Sequence, residues 1–165
     1  MPIINAPFVT PALDANTVDA RCPVGTMVTT TEGGSAIYVQ ATSTINQYDA
    51  VVILNTSSAV GASIGAVPVT TTNALKSQRL GFAQTAITSS YYGWITLSGN
   101  NLRVNSLIAC QPAVPLFTTS TAGWLDDATV TAGYCLGVVL MSSATSASAP
   151  PAVAGNCVIR TWAGG

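Results

Sequence analysis

The chain has 165 residues, no histidine, and only five Lys or Arg against six Asp or Glu, for a net charge of −1. Enzyme chemistry near neutral pH usually draws on histidine, a metal cluster or charged clamps on the substrate, and this composition supplies almost none of them. A hydrophobic fraction of 48% rules out general disorder, yet runs such as Val51 to Leu54 and Leu136 to Met141 fall far short of the roughly 20 residues of a membrane helix.

Residues 1–23 hold Pro2, Pro7, Pro11 and Pro23. Proline at this density removes backbone donors and blocks helix, so an extended arm is expected. The arm also carries Ile3, Ile4, Phe8, Val9 and Leu13, which a solvated linker would not need. It lies either on a neighbouring subunit or back on its own domain. It has no basic segment followed by an apolar core, so no secretory signal is read and assembly in a cytoplasm is expected.

Residues 24–165 read as a single all-β domain. Met27 to Thr31 is followed by the turn Glu32-Gly33-Gly34-Ser35, and Ala36 to Ala41 alternates as a strand. Tyr48-Asp49 leads into Val51 to Leu54, a run suited to burial on both faces. Val60 to Ala66 reads as a loop, and Thr72 to Leu80 is the best, though short, helix candidate. Leu80 to Thr85 and Tyr91 to Leu97 read as strands. Ser98-Gly99-Asn100-Asn101 reads as a hairpin turn into Leu102-Arg103-Val104. Gly133 to Met141 is the strongest late strand, Ser142 to Pro151 is a Ser/Ala/Pro loop, and Cys157 to Trp162 closes the chain. No repeat of fixed period is visible. Many short strands at this spacing predict a small barrel or sandwich.

Cys22, Cys110, Cys135 and Cys157 contain no close pair, and no histidine could complete a zinc set, so no metal or cofactor is expected. Cys110, Cys135 and Cys157 fit buried apolar positions, whereas Cys22, beside Pro23, is the one expected at the surface. Asp126 and Asp127 are adjacent and would point to opposite faces of a strand, which fits a turn better than an acid/base pair. No catalytic residue is assigned. The five basic residues are dispersed along the chain, which argues against nucleic acid as a partner.

Charged residues make up 7% of the chain, where about 25% is usual. Either Ser and Thr hydroxyls clothe a monomer, or other subunits cover much of the surface. Interface cores are depleted in charge, which favours the second. Trp94 and Trp124 are expected as core or interface anchors, and with the arm residues they form the candidate interface set.

Ala36 to Ala41, Tyr48 to Val52, Leu80-Gly81-Phe82-Ala83-Gln84, Tyr92 to Gly99, Pro115-Leu116-Phe117, Gly123-Trp124-Leu125 and Gly137-Val138-Val139 together resemble head decoration (cement) proteins of tailed bacteriophages. The resemblance runs over roughly residues 25–139. The Pro-rich arm and the 142–151 loop depart from it. It implies a small β-barrel or β-sandwich, β-tulip-like, often homotrimeric. It also implies a place on the outside of an expanded capsid, with the major capsid protein and other copies of itself as partners. The alternatives are a carbohydrate- or receptor-binding module using the Trp and Tyr side chains, another coat or tail component, and a hydrolase built on Asp126 or Asp127. No membrane partner is expected.

Overall fold

The computed structural model describes residues 14–30, 33–58, 61–74, 78–128, 133–145 and 149–161. The fold is all-β, with no helix among the described residues. Ten strands form one mixed sheet: β1 (Met27–Thr29), β2 (Ser35–Ala41), β3 (Ala50–Ser58), β4 (Gly61–Pro68), β5 (Arg79–Phe82), β6 (Tyr92–Arg103), β7 (Leu116–Thr118), β8 (Leu125–Asp126), β9 (Gly133–Leu140) and β10 (Pro151–Thr161).

The sheet closes on itself through β2–β4–β3–β5–β6 and back to β2. A ring of five strands cannot be antiparallel throughout, because alternating directions need an even number. The one parallel contact, Gln40 with Gly65 and Ala41 with Ala66, falls between β2 and β4. Outside the ring, β10 pairs with β6 and β5, and β9, β7 and β8 continue from β10.

Three sequence expectations change here. Residues 61–66 belong to β4 rather than a loop, because small residues such as Gly65 and Ala66 let β4 fit between β2 and β3. Ser98 to Asn101 do not turn: β6 runs straight through them, and Gly99 pairs with Ala154. The described residues of 72–80 form a turn and the start of β5, with Asn73 bonded to Thr70 and Pro68, and no helix.

The ring also contains a repeat that identity conceals. Shifting residues 37–53 by 42 positions gives 79–95, and this shift exchanges the partners of each strand pair. Gln40 faces Tyr92 and Ile37 faces Ile95, while Phe82 faces Ala50 and Arg79 faces Ile53. At the centre Ile45 and Ile87 exchange two backbone hydrogen bonds of 2.9 Å. The Tyr48 amide donates to the Ala83 carbonyl, whose own amide donates to Asp49. In the second unit Ser90, Ala41 and Tyr91 do the same. Tyr48 and Ser90 both adopt a left-handed backbone, at φ 70° and 69°. Only Ala41/Ala83, Ile45/Ile87 and Ile53/Ile95 are identical between the units, which is why the sequence reading found no repeat. A partial third copy of the turn occurs at Ala109 (φ 75°), whose amide donates to Ala144, with the Ala144 amide returning to Cys110.

Three apolar clusters follow from this arrangement. Alternate strand residues point to opposite faces, so Ile45, Ile87, Val39, Val51 and Ile95 fill the inside of the ring. On the outside, Tyr38 and Trp94 of one face correspond by the repeat to Leu80 and Val52 of the other. The first face is covered by residues 15–28, and the second by residues of β6 to β10.

Candidate functional site

The N-terminal candidates Ile3, Ile4, Phe8, Val9 and Leu13 lie outside the described residues. The remaining part of that stretch, residues 14–23, lies on the chain's own ring. Thr17 exchanges two backbone hydrogen bonds with Tyr92, and the Arg21 amide donates to the Tyr38 hydroxyl. Cys22, expected at the surface, is buried against Ala36, Tyr38 and Trp94, because residues 15–28 close over that face. Trp94 is buried as well, its ring centroid 5.0 Å from that of Tyr38. It is a core residue of its own chain. Trp124 is half-buried immediately before β8, with its carbonyl accepting from the Thr119 hydroxyl.

Four of the exposed large apolar side chains gather on β9, β10 and the residue after β9. Leu136 (40% exposed), Val139 (44%), Met141 (58%) and Val153 (36%) all point outward. Val139 faces Val153 directly, and Leu136 faces half-buried Val158. The inner side of the same ribbon is equally apolar, with Cys135, Val138, Leu140, Ala152 and Ile159 in the core. An antiparallel sheet with one solvated face ordinarily alternates apolar and polar residues. The sequence carried the signal in the unbroken run Val138-Val139-Leu140-Met141, apolar at both parities.

A local change of register separates the two halves of this stripe. Gly137 has φ 95°, and a Cβ there would lie 2.7 Å from the Gly155 carbonyl oxygen. The β10 pairing shifts between Ala154 and Val158, with Asn156 left-handed at φ 47°. Such a bulge turns side chains to a new bearing and strengthens the local twist. It brings Leu136 to the same outer face as Val139, three residues away, which strict alternation would forbid.

One group of metal-type side chains occurs among the described residues. Cys110, Asp126 and Asp127 place one ligand atom each within 4.8 Å of one another. In a regular strand the two carboxylates would part to opposite faces; Asp127 instead lies in a bend just after the two-residue β8, in keeping with the turn expected there, and the bend keeps them together. The Cys110 thiol donates to Asp126 Oδ1 at 3.4 Å, and Asp127 Oδ2 accepts from the Gln111 amide at 2.8 Å. Burial pushes the Cys110 thiol up to about 11, and the two carboxylates add to the shift. Cys135 and Cys157 are pushed up to about 12 and 11, again chiefly by burial. All four cysteines are free thiols, and these three hold their protons, which keeps them poor nucleophiles.

The chain matches no protein-family model and no curated protein.

Proposed function

We propose that this protein is a structural component of a virion: a decoration protein that binds the outside of an expanded phage capsid as a homotrimer and clamps neighbouring coat subunits. The observation that carries the reading is the β9–β10 ribbon, apolar on both faces, in a chain with 7% charged residues. A surface of that kind favours association over life as a monomer. The closed ring behind it is a rigid platform, and rigidity limits the ordering cost of assembly.

The mechanism is multivalent. A trimer presents three copies of each weak contact, so the first contact raises the effective concentration of the others. Binding only the expanded lattice stabilises that lattice by mass action. A sugar-stacking platform built on the Trp and Tyr side chains is less favoured, because Trp94 is buried.

Co-sedimentation with expanded heads that lack the protein tests the reading. Saturable binding at a fixed ratio to coat subunits is expected. No binding at micromolar protein would overturn it.

A further inference from the structure

Arg79, Arg103 and Arg160 stand far apart in the sequence, yet the sheet brings them around the apolar stripe of β9 and β10. Arg160 lies in β10, exposed and next to buried Ile159. Arg103 of β6 faces Pro151, and Arg79 of β5 faces Val158. Directly opposed residues of an antiparallel pair share one side of the sheet. Their neighbours Ala152 and Ile159 are buried, so that side of β10 is the outward one. Between the arginines lie Val153, two residues from Pro151, and Leu136, opposite Val158. No carboxylate pairs with any of the three among the described residues. Along the row from Arg160 through Tyr134 and Phe117, the first acid is Asp126, at the far edge of the sheet and bonded to the Cys110 thiol.

The stripe alone exposes roughly 300 Å², against about 800 Å² for one side of a standard interface. A partner held here must therefore use the arginines too, whose methylene stems extend the apolar surface. A nucleic acid would neutralise the charges but set its phosphates against the stripe. A surface both acidic and apolar meets both parts. Such a surface stands at the start of the described chain. Asp14 and Asp19 are the fully exposed acidic side chains among the described residues, and Val18 between them is 63% exposed. Asp49 is buried, and Asp126 and Asp127 are half-buried and hydrogen-bonded. Arg21 follows, which leaves the segment one net negative charge. The Thr17–Tyr92 backbone pair fixes the segment on the ring, where neither Asp14 nor Asp19 forms an ion pair with an arginine of its own chain among the described residues. The complementary face left to it is that of another copy.

We infer that residues 14–19 of one copy dock on the outer β9–β10 face of the next, with Asp14 and Asp19 set against its arginines and Val18 against Val139 and Val153. The contact joins unlike surfaces, so it runs head to tail and closes into a ring where the rotation allows. The inference rests on the self-associating part of the proposed function and not on the capsid. Complementary charge fixes the register of such a contact, and the apolar centre gains from exclusion of water.

The test is sedimentation velocity of full-length protein without capsids at about 50 mM NaCl, where charge pairs are little screened. Arg103→Asp/Arg160→Asp reverses one face, and Asp14→Arg/Asp19→Arg reverses the other. All four side chains are exposed, so both variants should fold, with circular dichroism and urea midpoints as the check. Each double variant should self-associate at least about tenfold more weakly than the wild type. The quadruple variant carrying both reversals should regain association, because opposite charges meet again. Double variants that associate as the wild type does would overturn the inference. So would a quadruple variant as weak as the doubles. Co-sedimentation of the same proteins with heads keeps the two readings apart. Wild-type head binding with unaltered self-association in the doubles removes the docking contact and leaves the decoration reading standing. Weakened doubles and a rescued quadruple, with no head binding by the wild type, do the reverse.

Discussion

Residues 37–53 and 79–95 have the same backbone pairing and different covers. Tyr38 and Trp94 lie under residues 15–28, whereas their equivalents Leu80 and Val52 lie under β6 to β10. The gap between strands is closed differently too. β4 inserts between β2 and β3, with Gly65 paired to both Gln40 and Leu54, while β5 and β6 touch directly through Phe82 and Thr96. The shared elements are backbone hydrogen bonds, two left-handed turns and the Ile45–Ile87 centre, all of which tolerate wide change of side chain. The outer side chains have diverged with their covers: a Tyr/Trp pair suits a thin cover of irregular chain, and Leu/Val suits a broad second sheet. Cover size, not the repeat, governs which residues stand at equivalent sites.

If the two covers are independent, truncating beneath each should have separable effects. Trp94→Ala should cost about 3–5 kcal/mol and Leu80→Ala about 2–5 kcal/mol, since both side chains are buried. The magnitudes overlap, so the discriminating measurement is residue-resolved amide exchange. Trp94→Ala should expose amides of residues 15–28 selectively, above all those of Thr17 and Gly25, which bond to Tyr92 and Tyr38. Leu80→Ala should leave that segment protected up to global unfolding. Equal loosening of both covers by both variants would show one cooperative unit and dissolve the comparison.

The all-β class was legible because turn residues punctuate short apolar runs throughout the chain. A small barrel or sandwich was expected from the same spacing, but which strands close the ring was not legible, because closure depends on pairings such as Gln40 with Gly65 that leave no local pattern. The repeat was hidden for a related reason. Its determinants are backbone groups, and Tyr48 and Ser90 share a left-handed conformation without sharing a side chain. Cys22 was misplaced because a Pro-flanked cysteine looks exposed until Tyr38 and Trp94 are seen to need cover. The apolar stripe was half legible. The run from Val138 to Met141 is plain in the sequence, but the bulge that adds Leu136 to it depends on Gly137 and Asn156.

The caps of the two units offer a smaller and sharper contrast. Ala50 and Tyr92 are equivalent, and their amides donate to Gly123 and Thr17 respectively. Gly123 needs its lack of a side chain: φ is +79°, and a Cβ would sit 2.3 Å from Asp49 Cγ. Gly123→Ala should cost about 3 kcal/mol from the strained backbone and the displaced carboxylate together. Thr17→Ala at the equivalent cap should cost under about 1 kcal/mol, because its backbone bonds to Tyr92 survive and its hydroxyl contacts are exposed or only partly buried. Urea melts of the two variants measure the ratio. Similar losses would mean that Thr17 bears a load its geometry does not show.

The smallest effect separates Asp49 from its equivalent, Tyr91. Asp49 is buried; its carboxylate accepts from the Asn46 amide at 2.8 Å and from Asn105 Nδ2 at 2.9 Å. Burial raises its pKa above the ordinary 3.8, and those hydrogen bonds offset only part of the rise. The folded state thus holds this proton more tightly than the unfolded chain does. Its contribution is fully present below the unfolded pKa and is lost as pH rises through the folded one. Stability measured by urea should therefore fall as pH rises from about 4, and Asp49→Asn should flatten that slope while lowering stability at every pH, because its amide turns a donor toward the Asn46 amide. Tyr91→Phe should leave the slope as it is. A wild-type curve that rises across the same interval would mean that the Asn46 and Asn105 hydrogen bonds outweigh burial. Asp49 would then be held ionised, as the charged anchor of the first cap.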